Sequence, residues 1–195
     1  MKFPLSLSFK VLALAPQISV IDADDSLQFY VRQKLLKFKE SVDVYADAEQ
    51  KRLAYTINAD RVIDWSANYA VADAKGRPLG SIARKGMRSL WRAEYHIQTA
   101  AGARYVVREE NPWAKVMDSL FSEIPLVGLL AGYLFHPAYR ITRENEDAVV
   151  MRAEKLPAFF EGKYRVEAKA KLAEDDVAVL TMGLIMLLLL ERQRG

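Results

Sequence analysis

The chain has 195 residues, 51% of them hydrophobic and 27% charged, with a formal net charge of +3. That length suffices for one domain with a sizeable core, read here over 1–195. The absence of cysteine excludes disulfides and thiol chemistry, His96 and His136 lie too far apart for metal-ligand spacing, and so mild a charge does not call for a nucleic-acid partner.

At the N-terminus, Lys10 interrupts a short apolar run, and Pro16 would follow the cleavage-like Ala13-Leu14-Ala15. A signal peptide is therefore not implied, and a cytoplasmic protein is expected. Leu5, Leu7, Phe9 and Val11 alternate with Ser6, Ser8 and Lys10, the period of a half-buried strand. Residues 17–21 read as a second strand and 22–26 as a solvated turn, because no downstream acid completes a calcium loop. Residues 27–38 form the next strand region, with spaced bases at Arg32, Lys34, Lys37 and Lys39. Val42 and Val44, then Leu53, Tyr55 and Ile57, predict a hairpin around 47–50, and 61–66 is a connection carrying Trp65.

A spacing then repeats. Strands open at Tyr69, Tyr95, Tyr139 and Tyr164, and turn signals follow the first three at 73–76, 101–102 and 144–147. The intervals between these tyrosines are 26, 44 and 25 residues. The long interval is one repeat plus an insertion, read over 111–137. There Asn111 and Pro112 suit a helix start, and Trp113, Val116, Met117, Leu120 and Phe121 share one helical face. An apolar run, 126–135, follows and carries Leu129, Tyr133 and Phe135. The insertion reads either as a lid on a barrel mouth or as a lipid-contacting element.

The densest basic run is Arg84, Lys85, Arg88 and Arg92, with Trp91 among them. A run of this kind is a solvated face or a surface that meets phosphates. Residues 177–190 then form an uncharged stretch preceded by three acids and followed mostly by bases, which predicts a helix over about 176–192. It has no polar face and falls short of the roughly 20 apolar residues of a membrane span, so it is read as a core helix. Twelve strands can close around a helix about 10 Å wide. The expected fold is mainly β: about twelve strands in a closed barrel around a buried hydrophobic C-terminal helix, with a helical insertion near 111–137.

Several strings carry a resemblance: Phe29-Tyr30-Val31-Arg32-Gln33-Lys34-Leu35-Leu36, Ile82-Ala83-Arg84-Lys85-Gly86, Arg108-Glu109-Glu110-Asn111-Pro112-Trp113, Gly132-Tyr133-Leu134-Phe135-His136-Pro137 and Pro157-Ala158-Phe159-Phe160-Glu161-Gly162, with the closing segment 186–195. Through them the chain resembles the LURP-one-related family, in the wider tubby-like and phospholipid scramblase-like superfamily. The resemblance implies a twelve-stranded barrel around a C-terminal helix. Tubby-like relatives bind phosphoinositides through basic surface residues, and scramblase-like relatives are linked to lipid movement. The cluster at 84–92 is analogous to the former in charge only, and no scramblase-type acidic calcium loop stands beside the last helix.

The expected function is a non-enzymatic module at a membrane surface, without cofactor or metal. It would bind anionic phospholipid or phosphoinositide head groups through Arg84, Lys85, Arg88, Trp91 and Arg92, with apolar contacts from Trp113, Phe121, Leu129, Tyr133 and Phe135. The other reading is a soluble scaffold that holds a protein partner through 113–135. An enzyme is not expected. Glu109 and Glu110 are strand neighbours that point to opposite faces, and Ser66, Ser81 and Ser122 have no histidine at a telling spacing.

Overall fold

The computed structural model describes residues 1–10, 17–32, 41–60, 68–85, 94–110, 137–157 and 161–192. The described residues form twelve strands: β1 (Leu5–Lys10), β2 (Gln17–Ile21), β3 (Leu27–Arg32), β4 (Ser41–Tyr45), β5 (Leu53–Ala59), β6 (Asn68–Asp73), β7 (Pro78–Lys85), β8 (Glu94–Thr99), β9 (Arg104–Glu109), β10 (Ala138–Arg143), β11 (Val149–Leu156) and β12 (Glu161–Ala168). Each strand pairs antiparallel with its sequence neighbour, and β1 pairs with β12 to close the barrel. Closure leaves no sheet edge exposed. The expected insertion helix lies outside the described residues.

One device recurs in the short turns. Asp25, Gln50, Gly76, Gly102 and Asn145 each have positive φ. Each follows a backbone turn bond or sits within one, such as Gly76 N–H to Asp73 O at 2.9 Å. Register shifts fall beside four of these turns, at 20/21, 44/45, 71/72 and 141/142. A turn closed by one left-handed residue and a bulge is a favoured hairpin solution, and it increases strand twist. Aspartates fix several of them from the side. Asp73 accepts from the backbone N–H of Lys75 and Arg77 at 2.9 and 3.0 Å, and Asp47 from those of Lys51 and Arg52 at 3.0 and 2.8 Å.

The bore is filled by α1 (Glu174–Arg192). Val179, Leu180, Met182, Ile185 and Met186 are 0% exposed, and inward strand residues such as Leu5, Leu7, Ile57 and Ile97 close on them. The one strongly polar side chain of the run, Thr181, gives its hydroxyl hydrogen to Val177 O at 2.7 Å and so is buried without cost to a neighbour. The helix begins two residues before the expected start. Its acids do not cap it: Asp175 receives Arg77 at 2.9 and 3.2 Å, and Asp176 accepts the Tyr105 hydroxyl at 2.7 Å. These bonds fix the helix N-terminus at the short-turn end, so the C-terminus runs toward the opposite mouth. Among the described residues, no helix is long and apolar enough to cross a membrane.

Candidate functional site

Antiparallel order sorts the strand ends onto two rims. One carries the short turns and the helix entry. The other carries the ends Lys10 and Gln17, Arg32 and Ser41, Ala59 and Asn68, Lys85 and Glu94, Glu109 and Ala138, Leu156 and Glu161. The connection 86–93 leaves and rejoins this second rim between β7 and β8, and 111–136 does so between β9 and β10. These two hairpins are neighbours in the sheet, since β8 pairs with β9. Arg88, Trp91 and Arg92, and Trp113, Phe121, Leu129, Tyr133 and Phe135, lie outside the described residues. The strand ends that flank both groups are adjacent on one rim.

Inside this rim the repeated tyrosines share a purpose the spacing only hinted at. Tyr69, Tyr95, Tyr139 and Tyr164 all face the bore, 7, 1, 3 and 7% exposed. The rings of Tyr139 and Tyr164 lie 6.4 Å apart. Tyr69, Tyr95 and Tyr139 are each the second residue of a strand that returns from this rim, and Tyr164 is the fourth residue of β12.

Arg84 belongs to this inner layer. Expected on a surface cluster, it is 8% exposed, with its guanidinium carbon 6.0 Å from the Tyr95 ring centroid. Burial raises the pKa of Tyr69, and the Arg84 charge works against that rise. The reason is strand alternation. Ile82 faces the core at 1% exposure, and Arg84 two residues on must face the same way. Its charge lies at the end of the bore toward which the helix C-terminus runs, the favourable sign for the helix dipole. Lys85 ends the strand.

The outer wall below this rim carries a feature that the sequence does not announce. Arg108, Arg140 and Arg152 stand directly opposite one another on β9, β10 and β11. Glu94 flanks the row and takes Arg108 Nε at 2.8 Å, which holds the Glu94 carboxyl below the usual range even against its partial burial. Arg152 is shared between Glu110, at 2.9 to 3.1 Å, and Glu154 at 2.6 Å. Glu110 thus lies on the outer wall, while Glu109 has an Oε1 atom buried from solvent. The adjacent carboxylates are separated as strand geometry requires. The three arginines are 32 and 12 residues apart in sequence, and only the register joins them. Among the described residues, no group of acids and histidines could hold a metal ion.

A family described as LURP-one-related matches residues 27–184. The chain belongs to the LURP-one-related family. The match runs from β3 into the helix and includes both connections, 86–93 and 111–136. No curated protein and no solved structure matches the chain. The LURP-one-related barrel seen here, twelve strands around a C-terminal helix, is the architecture that the tubby-like resemblance implied.

Proposed function

We propose that this LURP-one-related protein is a non-enzymatic module that docks on anionic phospholipid head groups with its long-connection rim. The observation that carries the reading is topological. The connection bearing Arg88, Trp91 and Arg92 and the apolar connection bearing Trp113, Phe121, Leu129, Tyr133 and Phe135 spring from adjacent hairpins on one rim. Cations with apolar and aromatic residues in one patch suit a peripheral membrane contact, where charge attracts the surface and rings sit at head-group depth. Trp65 lies in a third connection from the same rim, so the strand ends flanking every tryptophan of the chain lie there. The opposite rim favours this orientation by its sign: two of its turns, 22–26 and 144–148, carry three acids each and no base. Arg84 contributes from within, and the other cations of the reading are Lys85, Arg88 and Arg92.

Liposome co-sedimentation tests it, with neutral, anionic and phosphoinositide-containing vesicles at low and high salt. Binding to anionic vesicles that weakens with salt and with Lys85, Arg88 and Arg92 all changed to alanine is the expected result. Absence of binding to every vesicle would sink the lipid reading. Salt-tolerant capture of a protein partner, lost on Leu129→Asp or Phe135→Asp, would favour a scaffold instead.

A further inference from the structure

We infer that Arg108 and Arg140 form a two-guanidinium clamp for a phosphate monoester on the outer wall, just below the long-connection rim. The clamp deepens the lipid reading and rests on it only for the source of the phosphate.

Directly opposed like charges on a sheet are unfavourable, and here three arginines are aligned across adjacent strands. Two of them are relieved by carboxylates. Arg152 is fully engaged by Glu110 and Glu154. Arg108 gives only its Nε to Glu94, which leaves its terminal nitrogens uncommitted among the described residues. Arg140, between them, is exposed and has no carboxylate partner among the described residues. Two adjacent forks therefore present donors outward, on strands about 4.8 Å apart. A phosphate monoester fits that pair better than the alternatives. It carries close to two charges and three terminal oxygens, enough to accept from both forks, whereas a carboxylate matches one fork and a phosphodiester carries a single charge. Glu94, Glu110 and Glu154 are each held in ion pairs at the edges of the row and so do not fill its centre.

The test follows arginine Nε–H signals by NMR during titration with inorganic pyrophosphate, in parallel with co-sedimentation on phosphatidylcholine vesicles that are plain, doped with phosphatidylserine, or doped with a phosphatidylinositol monophosphate. The expected result is that the Arg108 and Arg140 signals move, that Arg108→Gln and Arg140→Gln each weaken pyrophosphate binding about tenfold, and that Arg104→Gln, an equal loss of charge, does not. Melting of Arg140→Gln at or above the wild-type temperature shows that the loss is not unfolding. If the same variants weaken binding to monophosphate vesicles, the phosphate is a lipid head group. Pyrophosphate binding without any vesicle binding supports the clamp with a free phosphate as its ligand and removes the lipid reading. Vesicle binding unchanged by both variants, while they still weaken pyrophosphate binding, leaves the lipid reading standing and assigns the clamp to a free phosphate. Unmoved arginine signals with pyrophosphate overturn the clamp outright.

Discussion

At one end of the barrel, short turns are each locked by a left-handed residue, and the helix is tied down by Arg77 on Asp175 and Tyr105 on Asp176. At the other end the same strands give way to long connections, and the inner wall changes character. There β6 to β12 present Tyr69, Arg84, Tyr95, Glu109, Tyr139 and Tyr164, while β1 to β5 present Phe9, Ile18, Val31, Val42 and Ala59. The contrast teaches a division of labour. The short-turn end and the bore secure the fold, so the other rim is free to vary its connections, and it is there that the proposed contact falls.

If that division is right, the largest effect belongs to the bore. Leu184 is 2% exposed, and Leu184→Ala should destabilise the protein by about 3–5 kcal/mol in urea unfolding. A cost below about 1 kcal/mol would mean that the helix is not the core. Next comes the helix tether. Tyr105→Phe removes a hydroxyl donated to a carboxylate at 2.7 Å and should cost about 1–2 kcal/mol. Gly183→Ala sharpens the picture of how tightly the helix sits. A Cβ there would run into Ile97 Cδ1, so overpacking should outweigh the better helix propensity and leave a net loss of about 1 kcal/mol.

The pH profile should locate the same end. Asp73 and Asp47 have pKa values lowered, Asp73 chiefly by the Arg77 side chain and Asp47 by the Lys51 backbone N–H. Their contribution is present above the unfolded carboxylate pKa near 4 and is lost as pH falls through the lower folded values. Tyr105 is shifted the other way, by burial and then by its bond to Asp176. Its contribution is complete below about pH 10 and is lost as pH rises through the raised folded value. Thermal melts across pH should therefore show an acid decline that Asp73→Asn reduces, and an alkaline decline that Tyr105→Phe reduces. The smallest stability effect belongs to the other rim: Arg88→Ala should change unfolding by no more than about 0.5 kcal/mol.

Much of the fold was legible because its rules are local. Alternation in Leu5-Ser6-Leu7-Ser8 fixes a strand, and the uncharged run 177–190, short for a membrane span, reads as a buried helix. The helix begins two residues before the start that the charge pattern suggests, and Asp175 and Asp176 answer to Arg77 and Tyr105, partners far away in sequence. Arg84 stands in the densest basic run, where charge density points to a surface and strand parity points inward. Ile82 and Arg84, two apart, already placed it inside. The arginine row was not legible at all, since Arg108, Arg140 and Arg152 meet only through register across an insertion. Sharing of one rim by the basic and apolar connections likewise emerges only once the sheet closes.

The most direct measurement uses Trp65, Trp91 and Trp113, whose flanking strand ends all lie on the long-connection rim. Tryptophan emission is recorded while the protein binds anionic vesicles whose acyl chains carry bromine near the head group. Docking by this rim predicts a blue shift and quenching that reverse at high salt. Protein that sediments with the vesicles while its emission stays unshifted and unquenched would contradict the account.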